Sequence, residues 1–164
     1  MIQKRNRPRL GSLPRKYNFS MNSYPEFRFS KCPDCQNQTG QRTLPLIIHI
    51  EPHKLIAFNY TSRYCKRCDM LIAHKHEIEH KLTELFQQTN KEVIGNPYLV
   101  FGTVEKKAMR EHMKQPKALD EILKHVHDFK SYQTIQMRMG GWFQKGAIQP
   151  IMEFPPSTEW LKHS

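Results

Sequence analysis

Glycine is scarce in this chain, long apolar runs are absent, and cysteine occurs only in two matched pairs. Seven glycines in 164 residues form no G-x-x-x-x-G-K-[ST] loop and no G-x-G-x-x-G. That argues against a phosphate cradle built on a glycine-rich turn. A G-x-S-x-G elbow is missing too, and with it the nucleophile turn of the α/β-hydrolases. The longest apolar stretches, such as Leu44–Ile50, are interrupted by Pro45 and His49. They fall short of the roughly 18 residues a membrane helix needs. No apolar segment follows the basic N-terminus, as a secretory leader would require. The expectation is a soluble, cytoplasmic protein with no membrane partner. No internal repeat is visible beyond the cysteine pairs.

Acidic residues are also few. There are 26 Lys and Arg against 15 Asp and Glu, a net charge of +11. Residues 1–31 hold eight of the cations against Glu26 alone, so the excess is concentrated at one end and points to a polyanionic partner. Residues 1–24 contain Pro8, Gly11 and Pro14 and show no apolar periodicity. They are expected to be a flexible basic arm. A solubilising tail without a specific partner is the plainer alternative.

Beyond the arm the pattern becomes regular. "EFRFS" alternates Phe27 and Phe29 with polar residues and predicts a short strand. "TLPLIIHI" (43–50) and "LIAFNY" (55–60) flank a four-residue polar turn and predict a hairpin. Ile78, Leu82, Leu85 and Phe86 recur at helical spacing, predicting a helix near 74–88. "YLVFGTV" predicts a strand at 98–104, and residues 105–113 a helix stopped by Pro116. Leu119, Ile122, Leu123 and Val126 predict a helix near 117–127, and "YQTIQMRM" a half-exposed strand at 132–139. The proline-punctuated end is expected to drape over the core.

The strongest chemical signal is Cys32-Pro33-Asp34-Cys35 and Cys65-Lys66-Arg67-Cys68, separated by 29 residues. A C-x-x-C turn puts two sulfurs on one side of a tight loop, and two such turns supply four thiolates. Zinc takes four thiolates tetrahedrally without redox chemistry, and a closed shell leaves no position for water. The expected metal ligands are therefore Cys32, Cys35, Cys65 and Cys68, holding one structural Zn2+. A redox dithiol is the alternative, but it expects a single pair beside a βαβ unit.

These two knuckles and the hairpin between them resemble the zinc-ribbon class over about residues 26–73. Ribbon knuckles often continue with glycine, whereas here Gln36 and Asp69 follow. A treble clef is the near relative and would start a helix at the second knuckle. The resemblance implies a structural zinc and leaves function open, since ribbons serve both nucleic-acid and protein binders. The expected fold is α+β: an arm (1–24), a four-cysteine zinc ribbon (25–73), and a small α/β body with a proline-punctuated tail (74–164).

Within the helix near 74–88, His76-Glu77-Ile78-Glu79-His80 spells H-E-x-x-H. On a helix His76 and His80 share a face and can address one metal, with Glu77 as general base on a bound water. This would make the protein a metallopeptidase with a second metal. Against it, Lys75, Glu79 and Lys81 crowd the motif, and no third ligand sits in a second motif. His76, Glu79, His80 and Thr83 are expected to form a solvent-facing stripe. His74 is expected near the second knuckle as a hydrogen-bond partner of a thiolate.

Lys4, Arg5, Arg7, Arg9, Arg15 and Lys16 in the arm, with Lys31, Arg63, Lys66 and Arg67 around the knuckles, are the expected nucleic-acid contacts. Tyr60 and Tyr64 lie among them, as base stacking would ask. The expected function is a non-enzymatic, zinc-stabilised protein binding nucleic acid. The alternative is a protein-interaction adaptor using the ribbon and an apolar C-terminal tail with exposed Trp142, Phe143, Phe154 and Trp160.

Overall fold

The run Leu46–Ile48 is apolar on both sides of a strand, and both sides are used. Leu46, Ile48 and Ile50 enter one cluster of buried side chains, and Ile47 enters another. Such a strand belongs in the middle of a sheet covered on both faces. The computed structural model describes residues 9–138, 144–154 and 156–162. Its strands are β1 (Asn18–Asn22), β2 (Gly40–Ile50), β3 (Lys54–Cys65), β4 (Met70–His74), β5 (Tyr98–Val104), β6 (Val126–Asp128) and β7 (Ser131–Thr134). They form a seven-stranded mixed sheet in the order β6-β5-β2-β3-β4-β1-β7. β4, β1 and β7 run parallel to one another, and the remaining pairs are antiparallel.

One face packs against α1 (Lys75–Phe86). Ile78, Leu82 and Phe86 meet Phe19, Leu46, Leu71, Val100 and Phe129, and the rings of Phe19 and Phe129 stack at 4.5 Å. The other face is divided. Over its β5–β6 half lie α2 (Lys106–Lys114) and α3 (Leu119–Leu123), covering Ile47, Val104 and Val126. Over the β4–β1 half sit Cys32, Cys65, Met70, Ile72, Tyr24 and Ile135.

The fold is mixed α and β, as expected, and dominated by strands. The hairpin is present as β2–β3, with Leu46 opposite Phe58 and Ile48 opposite Ile56. It is not, however, a separate ribbon module. β5 pairs with β2, and β4 and β1 extend the sheet beyond β3. The expected ribbon and body therefore share one sheet.

Two local expectations are corrected. "EFRFS" is not a strand: Phe27 turns back on Tyr24 through a backbone hydrogen bond of 3.2 Å, and Phe29 has φ 51°. The helix near 117–127 stops at Leu123, and Val126–Asp128 becomes β6, with Val126 paired to Val104. Burial of Val126 against the sheet outweighs helical propensity there.

The arm is the largest correction, because residues 9–24 are part of the fold. Phe19 and Met21 are buried in the main core, and β1 lies between β4 and β7. Ahead of it, the fully buried Asp128 carboxylate accepts the backbone N–H groups of Leu10 and Gly11, each at 2.7 Å. A Cβ at Gly11 would stand 2.2 Å from the Val126 carbonyl oxygen, so only glycine fits this approach. Residues 1–8, with Lys4, Arg5 and Arg7, lie outside the described residues, as do Met139, Trp142 and Phe143.

Candidate metal centre

Two turns of different origin bring the cysteines together. The first knuckle is a loop between β1 and β2. It is closed by the Cys32 N–H on the Asn37 carbonyl (2.8 Å) and the Gln36 N–H on the Cys32 carbonyl (2.9 Å). The second is the tip of the β3–β4 hairpin, just beyond the pairing of Cys65 with Met70. There the Cys68 N–H points at the Cys65 sulfur, 3.5 Å away. No cysteine is in a disulfide; Cys32 and Cys65 are buried, and Cys35 and Cys68 half-buried.

The four sulfurs lie within 4.8 Å of one another. Cys32 and Cys68 approach to 3.9 Å, and Cys35 and Cys65 to 3.5 Å. Sulfurs about 2.3 Å from a tetrahedral zinc are separated by about 3.8 Å, so the cluster matches the size of that shell. The four cysteines can hold a metal. Their protonation fits the same reading. Burial pushes the Cys32 and Cys68 thiols up, while the Asn37 backbone N–H pulls Cys35 down to about 7. Clustered thiols resist joint ionisation, and a divalent cation removes that resistance.

The residues after each knuckle explain a departure from the ribbon pattern. Gln36 has φ 66° and Asp69 φ 50°, the left-handed region where glycine is favoured. Asp69 is held there by its neighbours. Its carboxylate accepts from the Tyr64 hydroxyl (2.8 Å) and from Lys130 Nζ (2.8 Å). Partial burial opposes its ionisation, but Lys130 and Tyr64 together keep its carboxyl below the usual range. Asn18 Nδ2 adds a bond to the Cys68 carbonyl at 2.9 Å.

The expected cations separate into groups. Lys16, Lys31, Lys66 and Arg67 are exposed. Arg63 is half-buried and committed to Thr39, donating from Nε to Oγ1 (3.0 Å) and from Nη2 to the carbonyl (2.7 Å). Arg9 donates to the Gly11 and Leu13 carbonyls, and Arg15 to the Phe129 carbonyl at 3.1 Å. Tyr60 and Tyr64 are half-buried in the fold rather than presented as stacking platforms. Arg42 was not among the expected cations. Its guanidinium lies 4.0 Å from the centroid of the Tyr64 ring and bonds the Tyr17 hydroxyl at 3.2 Å. Only strand register brings Arg42 and Tyr64 together, so no sequence motif marks the pair.

The H-E-x-x-H helix differs from its expectation. Glu79 is not on a solvent stripe: it is 2% exposed, and its Oε2 accepts from Tyr98 (2.6 Å) and Lys75 (2.7 Å). His80 is exposed and bonds Glu159 at 2.8 Å. Glu77 accepts from the Tyr60 hydroxyl at 2.6 Å. Among the described residues only the four cysteines gather three or more ligand atoms, so His76 and His80 have no third ligand beside them. His74 ends β4 away from the knuckle, and its Nε2 donates to the Pro25 carbonyl (3.1 Å), not to a thiolate. Trp160, expected in an exposed tail, is 7% exposed and donates to the Asn96 carbonyl at 3.0 Å.

Among the described residues, no helix is long and apolar enough to cross a membrane. Comparison with known protein families, curated proteins and solved structures finds no match.

Proposed function

We propose that this is a zinc-stabilised, non-enzymatic binding protein whose partner is nucleic acid. The observation that carries the first half is the cluster of four sulfurs within 4.8 Å of one another, two of its cysteines buried and two half-buried. Zinc is the metal because four thiolates and a closed shell suit a redox-inert, borderline-soft ion. Lys31, Lys66 and Arg67 at the surface around the knuckles, with Lys16 nearby in the fold, support a polyanionic partner. Lys4, Arg5 and Arg7 add three further cations to the N-terminal segment. Binding through phosphates, rather than stacking on tyrosines, is the mode these side chains favour.

The test has two readouts on the full chain. Elemental analysis is expected to find one zinc per chain, and none after Cys65→Ser; wild-type protein purified without bound metal would overturn the metal reading. Gel shifts over a salt series are expected to show affinity falling steeply with salt. Replacing Lys4, Arg5 and Arg7 together by alanine should flatten that slope, by about 0.9 for each duplex phosphate no longer neutralised. An unchanged slope would remove residues 1–8 from the binding surface.

A protein-interaction role finds its support in Ile148, Ile151, Phe154 and Leu161, which are exposed. Failure of any nucleic acid to bind, with zinc present, would shift the reading there.

A further inference from the structure

β3 and β4 pair only over Arg63–Cys65 and Met70–Ile72. Yet β3 begins at Lys54, and β4 continues to His74. β4 stays with β1 to its end, with His74 opposite Asn22, while β3 stays with β2. The sheet therefore opens beyond Arg63, and a cleft of about 340 Å3 occupies the opening. That volume suits a small molecule.

The position is chemically informative. Asn22 and His74 are the C-terminal ends of two parallel strands, and ligands of open sheets collect outside such ends where neighbouring strands diverge. His74 is also the N-cap of α1 and makes no side-chain cap bond there. The N–H groups of the first helical turn thus favour an anion on this side.

The side chains agree with that polarity. Arg28 and Arg63 both line the cleft, and neither forms an ion pair among the described residues. Arg63 is oriented by its two bonds to Thr39, which leave Nη1 for a ligand. Arg28 is exposed. The one carboxylate in the lining, Glu77, is already engaged by Tyr60, whose hydroxyl oxygen also accepts the His74 N–H at 2.9 Å. Two guanidiniums without carboxylate partners are matched by an oxyanion.

We propose that this cleft binds a small phosphomonoester, with Arg28 and Arg63 taking the phosphate and Tyr60, His74 and Glu77 facing the organic part. The charge of a phosphate dianion balances the two arginines. The site does not include Lys16, Lys31, Lys66 or Arg67, the cations that support the nucleic-acid reading, so it stands or falls independently of that reading. It is tied to the metal centre through Thr39, whose Oγ1 donates to the Phe29 and Ser30 carbonyls (2.8 and 3.0 Å) just ahead of Cys32.

Calorimetry on the metal-loaded full chain, with ribose 5-phosphate as probe and ribose as neutral control, tests the proposal. Ribose 5-phosphate is expected to bind and ribose not. Arg28→Gln should weaken binding roughly tenfold or more, with zinc content unchanged, whereas Lys54→Gln, at the far end of β3, should not. Absence of binding to the wild-type chain at millimolar probe would overturn the proposal. So would equal losses in the two variants, which would mark mere attraction to a basic protein. Inorganic phosphate binding as tightly as the ester would keep the anion site but overturn the assignment of an organic part.

Discussion

The two cysteine knuckles share a motif and a backbone conformation but are held by different means. The second is part of the sheet: it tips the β3–β4 hairpin, Asn18 bonds its carbonyl, and Asp69 is fixed by Tyr64 and Lys130. The first is a loop held mostly by its own bonds, through Asn37, Gln36, a Lys31–Gln38 bridge and Thr39. The sheet thus carries two of the ligands directly, while the other two come from a loop that is tied to the sheet by burial of Cys32 and by the Arg63–Thr39 bonds. A metal in such a site acts as a clasp between a sheet-bound half and a loop-borne half.

Metal removal should separate the two knuckles most. Chelation is expected to strip amide protection from residues 30–38 in hydrogen exchange while the β2–β3 and β2–β5 amides stay protected. This is the largest effect expected, since the ion is the link between the loop-borne and the sheet-borne ligands. Equal loss of protection at both knuckles would show that the sheet does not hold the second one.

Substitution after each knuckle sharpens the comparison at smaller scale. Asp69→Ala should cost about 1–2 kcal/mol by urea unfolding, because two bonds to a part-exposed carboxylate disappear. Gln36→Gly should instead raise stability by up to about 1 kcal/mol, since glycine relieves a left-handed φ and no side-chain bond is given up. The reverse ranking would mean that Gln36 does more than fill a turn.

The smallest effect lies away from both knuckles and serves as a control. The Glu159 carboxylate holds the His80 pKa above its ordinary 6.5, with Glu84 adding to it and Lys81 opposing. A raised folded pKa means that the stabilisation is fully present below pH 6.5 and is lost as pH rises through the folded value. An NMR titration should show this pKa fall towards 6.5 in Glu159→Gln, with the zinc site unaffected.

How much is legible in the sequence follows from range. The β2–β3 hairpin, α1 and β5 are legible because their apolar periods are local. The cysteine cluster is legible because C-x-x-C spacing is itself geometric. β1 is hidden inside an apparent arm because its partners, Met70 and Ser131, are 52 and 113 residues from Asn18. Nothing within "NFSMN" announces them. Glu79 is hidden for a related reason: a glutamate on a charged helix looks solvated until Tyr98, from strand β5, reaches it. Asp128, which ties down residues 10 and 11, sits in a segment whose local pattern is helical.

By itself the sequence determined the four thiols, their pairing into two turns, the basic excess and the strands and helices with strong local periods. These depend on residue type and short spacing alone. The tertiary structure decided that the N-terminal segment contributes an inner strand, that the apparent ribbon is the middle of a larger sheet, and that H-E-x-x-H has no third ligand beside it among the described residues. It also decided that β3 and β4 part to leave a cleft with Arg28 and Arg63 in its lining. Each of these rests on contacts between residues distant in the chain, whose closure is set by burial of the whole core rather than by any local pattern.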